Sequence, residues 1–210
     1  MMMWADVGTF AASLLWVALL VKLIRAWLPR KGQAVLLVVA IVSGMVPFNG
    51  QVIGAYIFSL SSYLSVSTIL LLLGFLFFSV AGNRFETFKA YWSPDQQWLV
   101  VVVFFVLSGL LLYPMAGGLT MLDPYRLGYT GTPWSVLLFG YLFSWAVLCV
   151  LKRWYLLLAL ILASMLAYYL KLLPSLNLWD YFIDLLVVVY SLFALLKYGL
   201  CRFFCRQPSN

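Results

Sequence analysis

The chain has 210 residues, of which 66% are hydrophobic, 18% aromatic and only 9% charged, and none is histidine. Soluble domains carry about 25% charge, so this composition and a mean hydropathy of +1.05 exclude an ordinary water-soluble fold and point to lipid as the solvent. Without histidine, Ser-His-Asp and Cys-His triads and histidine-ligated zinc or haem are excluded. No phosphate-binding or dinucleotide glycine loop is present either, so no cofactor and no metal is expected.

A helix crossing the hydrocarbon layer needs about 20 mostly apolar residues. The apolar runs predict one all-α integral membrane domain over 1–210, a polytopic bundle of seven transmembrane helices. The first span is 9–28. Its positive charges, Lys22, Arg25, Arg30 and Lys31, follow the apolar stretch instead of preceding it, which is the reverse of a cleavable signal peptide. The second span, 33–48, runs into the turn residues Pro47, Asn49 and Gly50. Segment 51–62 mixes apolar residues with glycine and serine and reads either as the start of a long tilted helix or as an interfacial or re-entrant piece.

The third span is 63–81. Ser61, Ser65 and Thr68 lie along it at helical spacing, a hydroxyl stripe expected to serve helix packing, with a polar permeation path as the alternative. Ser93-Pro94-Asp95 is a helix start, and the fourth span, 98–113, is closed by Pro114. An outer loop, 115–132, holds the most distinctive string of the chain, Asp123-Pro124-Tyr125-Arg126. The fifth and sixth spans, 134–151 and 154–170, are separated by the basic turn Lys152-Arg153, and the seventh, 179–200, is followed by a basic tail.

Seven spans with the N-terminus outside and the C-terminus cytoplasmic leave only Arg126 and Lys171 of the 13 basic residues outside. The acids lean the other way, with Glu86 and Asp95 alone falling inside. The net charge of +7 is therefore read as a positive-inside topology signal, with no nucleic-acid partner. Compact loops and cysteines that form no disulfide framework make a bacterial inner membrane the expected location.

Candidate functional residues concentrate on the outer face: Asp123, Tyr125, Arg126, Lys171, Asn177, Asp180 and Asp184, with Asn49 and Gln51 nearby in the topology. Asp180 and Asp184 are four apart, so on one continuous helix both carboxylates face the same way. Asp184 would lie a turn inside the interface, where an ionisable group is a functional-site hypothesis; the structural alternative pairs it with Arg126 or Lys171. Arg126 is suited to a phosphate or carboxylate. At the inner face, Arg25, Arg30 and Lys31 are candidates for lipid-headgroup contact.

The leading functional expectation is a non-catalytic accessory or structural subunit whose partners are the lipid bilayer and other membrane proteins or a second copy of the chain. Two further classes stay open: a small transporter or channel using Asp184 and the hydroxyl stripe, and a membrane-embedded enzyme acting on a lipid-linked substrate through Asp180, Asp184 and Arg126.

Overall fold

The computed structural model describes residues 12–22, 30–45, 47–48, 51–52, 64–81, 95–114 and 123–204. In chain order the helices are α1 (Ala12–Lys22), α2 (Arg30–Met45), α3 (Val66–Ala81), α4 (Asp95–Pro114), α5 (Ser135–Lys152), α6 (Tyr155–Tyr169), a single turn α7 (Trp179–Phe182), and α8 (Leu185–Phe204). A 3-10 turn covers Pro124–Gly128. After α2, Pro47–Phe48 pairs antiparallel with Gln51–Val52 in a minimal hairpin, with Phe48 opposite Gln51, as the turn residues of that stretch foretell. The described fold is otherwise helical.

Two helices, α4 over Gln96–Pro114 and α5, are long and apolar enough to cross a membrane; α1, α6 and the apolar stretches Val66–Phe78 and Leu185–Cys201 are shorter. α2, α3, α4, α5 and α6 overlap the expected spans 33–48, 63–81, 98–113, 134–151 and 154–170, and of the described helices α4 and α5 alone have the length and apolarity to cross a membrane. The interfacial segment from 53 to 62 and the first part of the expected loop, 115–122, lie outside the described residues.

The seventh expected span is not one helix. α7 ends after a single turn, Ile183 is extended (φ −139°, ψ 138°), and α8 starts afresh at Leu185. The apolar run 181–188 hides this break from a hydropathy reading, but Asp184 explains it. Its carboxylate offers the backbone an N-cap, which an aspartate does better at the start of a helix than in its interior.

The main core joins α4, α5, α6 and α8 around Phe104, Phe105, Leu142, Leu157, Ile161 and Val188. Phe104 stands edge-on to Trp145, with ring centroids 5.4 Å apart. α8 approaches α4 closely at Gly109, where an added Cβ would come within 2.5 Å of Val188. A smaller cluster, Val17, Ala18, Val21, Leu36, Ala40 and Leu76, packs α1 and α2 on the far end of α3. Across that cluster Trp16 Nε1 donates to Ser43 Oγ at 3.2 Å.

Polar side chains fasten neighbouring helices to one another. Ser67 and Ser164 join α3 to α6 by a 3.1 Å hydroxyl contact, and Ser108 meets the Tyr141 hydroxyl at 2.8 Å between α4 and α5. Gln97 of α4 accepts from the Leu156 amide at 3.1 Å, so the first turn of α6 is capped by a neighbouring helix and not by its own sequence.

Candidate functional site

The segments 123–129 and 175–184, which carry most of the candidate residues, meet through hydrogen bonds. Asp123 is the N-cap of the 3-10 turn: its carboxylate accepts from the Tyr125 amide at 3.0 Å. This local bond holds the Asp123 carboxylate within the turn, and Arg126 is exposed.

Asn177 is wholly buried between the two loops. Its Nδ2 donates to the Tyr125 carbonyl at 2.8 Å, its Oδ1 accepts from the Trp179 amide at 2.9 Å, and its own amide donates to Ser175 Oγ at 3.0 Å. Residues 129 and 177 form an isolated antiparallel bridge, and the Leu178 amide donates to the Gly128 carbonyl at 2.8 Å. Gly128 is needed here because a Cβ at that position would overlap Asn177 and crowd the Trp179 ring.

Trp179 closes the joint by donating from Nε1 to the Pro124 carbonyl at 2.9 Å. Its ring is buried, whereas Trp134 is exposed.

Asp180 accepts from the Tyr125 hydroxyl at 2.9 Å and from Ser175 Oγ. Burial first, and the Asp180 carboxylate second, push the Tyr125 phenol well above its ordinary range, so Tyr125 remains a donor at any physiological pH.

Asp184 does not share a face with Asp180, because the helix breaks between them. It is 7% exposed, and its Oδ1 accepts from the Val187 amide at 2.9 Å, an N-cap bond to the third residue of α8. Its Oδ2 accepts from the Ser65 amide at 2.8 Å. Ser65 is in turn the N-cap of α3: its hydroxyl accepts from the Thr68 amide at 3.2 Å and donates to Thr68 Oγ1 at 3.0 Å. One carboxylate therefore sits at the positive ends of two helices at once. The expected partners Arg126 and Lys171 are replaced by two backbone amides, each uncharged but fixed in direction.

Lys171 is exposed and terminates α6 in the left-handed conformation, φ 53°. The Lys171 amide donates to the Tyr168 carbonyl and the Leu172 amide to the Ala167 carbonyl, both at 3.0 Å, the two bonds of a Schellman cap. Of the inner-face candidates, Arg25 lies outside the described residues. Arg30 and Lys31 form the first turn of α2, where only the backbone is described. Of the hydroxyl stripe, Ser65 and Thr68 are buried and used in the α3 cap, whereas Ser61 lies outside the described residues, as do Asn49 and the side chain of Gln51.

Sequence reasoning missed Ser65, Ser175 and Trp179 as parts of the outer network. For Ser65 the signal was available, since a serine three residues ahead of a threonine at an apolar run is a helix start; the others depend on which loops meet. Among the described residues no group of three or more acids or cysteines is placed to hold a metal ion. Comparison with protein-family models, with curated proteins and with solved structures gives no match, so the functional reading rests on this geometry.

Proposed function

We propose that the chain is a multi-pass membrane protein of seven spans, N-terminus outside and C-terminus cytoplasmic in a bacterial inner membrane, that acts as a non-catalytic accessory subunit binding lipid and partner membrane proteins. The observation that carries the reading is how the outer acids are used. Asp184 accepts from two backbone amides, and Asp180 from a phenol and a serine hydroxyl. A general acid or base needs a reacting group within hydrogen-bond reach; here both oxygens of each carboxylate already accept from the fold's own donors.

The outward faces support the same reading. α5 turns Val136, Leu137, Phe143, Val147, Val150 and Leu151 outward over its whole length, and α8 does so with Leu185, Phe193, Leu196 and Leu200. In water such continuous apolar surface is a liability, whereas in hydrocarbon or against a partner helix it carries no penalty.

Two experiments test the proposal. Cysteine accessibility mapped from each side in intact cells should place positions 126 and 171 outside and 152 and 201 inside; all four on one side would overturn the topology. Asp184→Asn should leave partner capture and cellular function near normal once folding is matched, and complete loss of function in a normally folded variant would instead favour catalysis or transport.

A further inference from the structure

α6 has 15 residues, which at 1.5 Å per residue is about 22 Å, short of a hydrocarbon layer of about 30 Å. The segment that follows it has an unusual surface. Tyr169 is 83% exposed and Leu176 is 69% exposed, and Leu170 and Leu172 stand outward on either side of Lys171. A loop of this composition in water would present its leucines to solvent and leave its backbone to be satisfied by solvent.

This loop instead satisfies part of its backbone from within. The amides of Lys171 and Leu172 are bonded in the α6 cap, and that of Leu173 donates to the buried Tyr181 hydroxyl at 3.1 Å. Pro174 has no amide hydrogen, and the amides of Asn177 and Leu178 donate to Ser175 Oγ and the Gly128 carbonyl. On the acceptor side, the Tyr181 hydroxyl donates to the Leu173 carbonyl at 2.7 Å, and the Tyr168 hydroxyl to the Leu176 carbonyl at 3.2 Å. Irregular backbone is excluded from lipid because its polar groups go unpaired. Here the tyrosine hydroxyls of α6 and α7 remove much of that cost.

We propose that loop 170–176 is an interfacial anchor: Leu170, Leu172 and Leu176 enter the acyl boundary of the phospholipid leaflet at this end of α6, and the Lys171 ammonium meets a lipid phosphate. The loop thereby extends the apolar band of α6 by the length the helix lacks, with the cation at headgroup level as for other long side chains at span ends. The inference rests on the membrane reading above, and deepens it by naming a lipid-contact site and its chemistry.

The test uses the full chain carrying Cys201→Ser and Cys205→Ser, in which the buried Cys149 stays unlabelled. Leu172→Cys, Leu176→Cys, Arg126→Cys and Phe143→Cys are each added singly and labelled with an environment-sensitive fluorophore. The protein is reconstituted into vesicles of phosphatidylcholine and phosphatidylglycerol. Labels at 172 and 176 should lose most of their fluorescence to nitroxide lipids carrying the spin near the headgroup and little to an aqueous quencher, whereas the label at 126 should show the reverse. If 172 and 176 behave like 126 while 143 is quenched by lipid, the anchor is wrong and the membrane reading survives. If 143 is also quenched only from water, the membrane reading fails and the anchor with it.

Discussion

Asp184 has two duties, and substitutions can separate them. Asp184→Asn keeps one acceptor oxygen for one amide and should cost about 0.5–2 kcal/mol, the range of a weakened N-cap. Asp184→Ala removes both acceptors; leaving a buried amide unpaired adds about 1–3 kcal/mol, so the midpoint of thermal unfolding in detergent should fall in the order wild type, Asn, Ala. Tyr125→Phe should cost about 1 kcal/mol through its lost bond to Asp180. Because the Tyr125 phenol is raised above the unfolded value of about 10, its contribution is fully present below that pH and is lost as pH rises through the folded value. Tyrosinate absorbance followed to high pH should therefore lose a late-titrating component in Tyr125→Phe, and an unchanged profile would remove the Asp180 contact from the account. At this scale the sequence was partly legible. Tyr125 bonds both Asn177 and Asp180, and its amide donates to Asp123, but the partners of the acids are amides and hydroxyls where cations are expected, which no charge pattern reveals.

At the scale of the helix, α5 and α6 both end on a basic residue in the left-handed region, Arg153 at φ 59° and Lys171 at φ 53°. That conformation costs a residue with a Cβ about 1 kcal/mol that glycine avoids. Arg153→Gly should thus raise the unfolding midpoint, with the cap bond from the Trp154 amide to the Cys149 carbonyl, 2.8 Å, kept intact. Lys171→Gly should gain similarly in detergent, and its comparison in bilayers isolates what the ammonium contributes there. Gly109→Leu works in the opposite direction. Its side chain must displace Val188 and separate α4 from α8, which should destabilise by about 1–3 kcal/mol or more. Most helices were readable from apolar runs because burial in the fold and in lipid select the same residues. The break at Ile183 was not, since one extended residue between apolar neighbours leaves hydropathy unchanged, and only the capping chemistry of Asp184 marks it.

Across the described residues the two larger apolar clusters divide the bundle unevenly. The larger unites α4, α5, α6 and α8, while α1 and α2 hold a small cluster against the end of α3. Lys22 lies 5.6 Å from the Tyr190 ring centroid and ties α1 to α8, a contact worth about 0.5–1 kcal/mol at an exposed site. Amide exchange should accordingly be faster in α1 and α2 than in α4 and α6, and Lys22→Ala should widen that difference without changing exchange in the core around Phe105. Equal protection in all four helices would mean that the clusters open as one unit.

The bond from the Ser65 amide to Asp184 spans 119 residues, and this separation sets an order of events. During synthesis α3 emerges long before its acceptor exists, so its first turn waits with an amide that nothing in the nascent chain satisfies. The last helix supplies the missing oxygen together with its own cap. A chain released before residue 184 can form the early helices yet retains a polar defect where α3 begins, and closure of this joint then waits on the synthesis of α8.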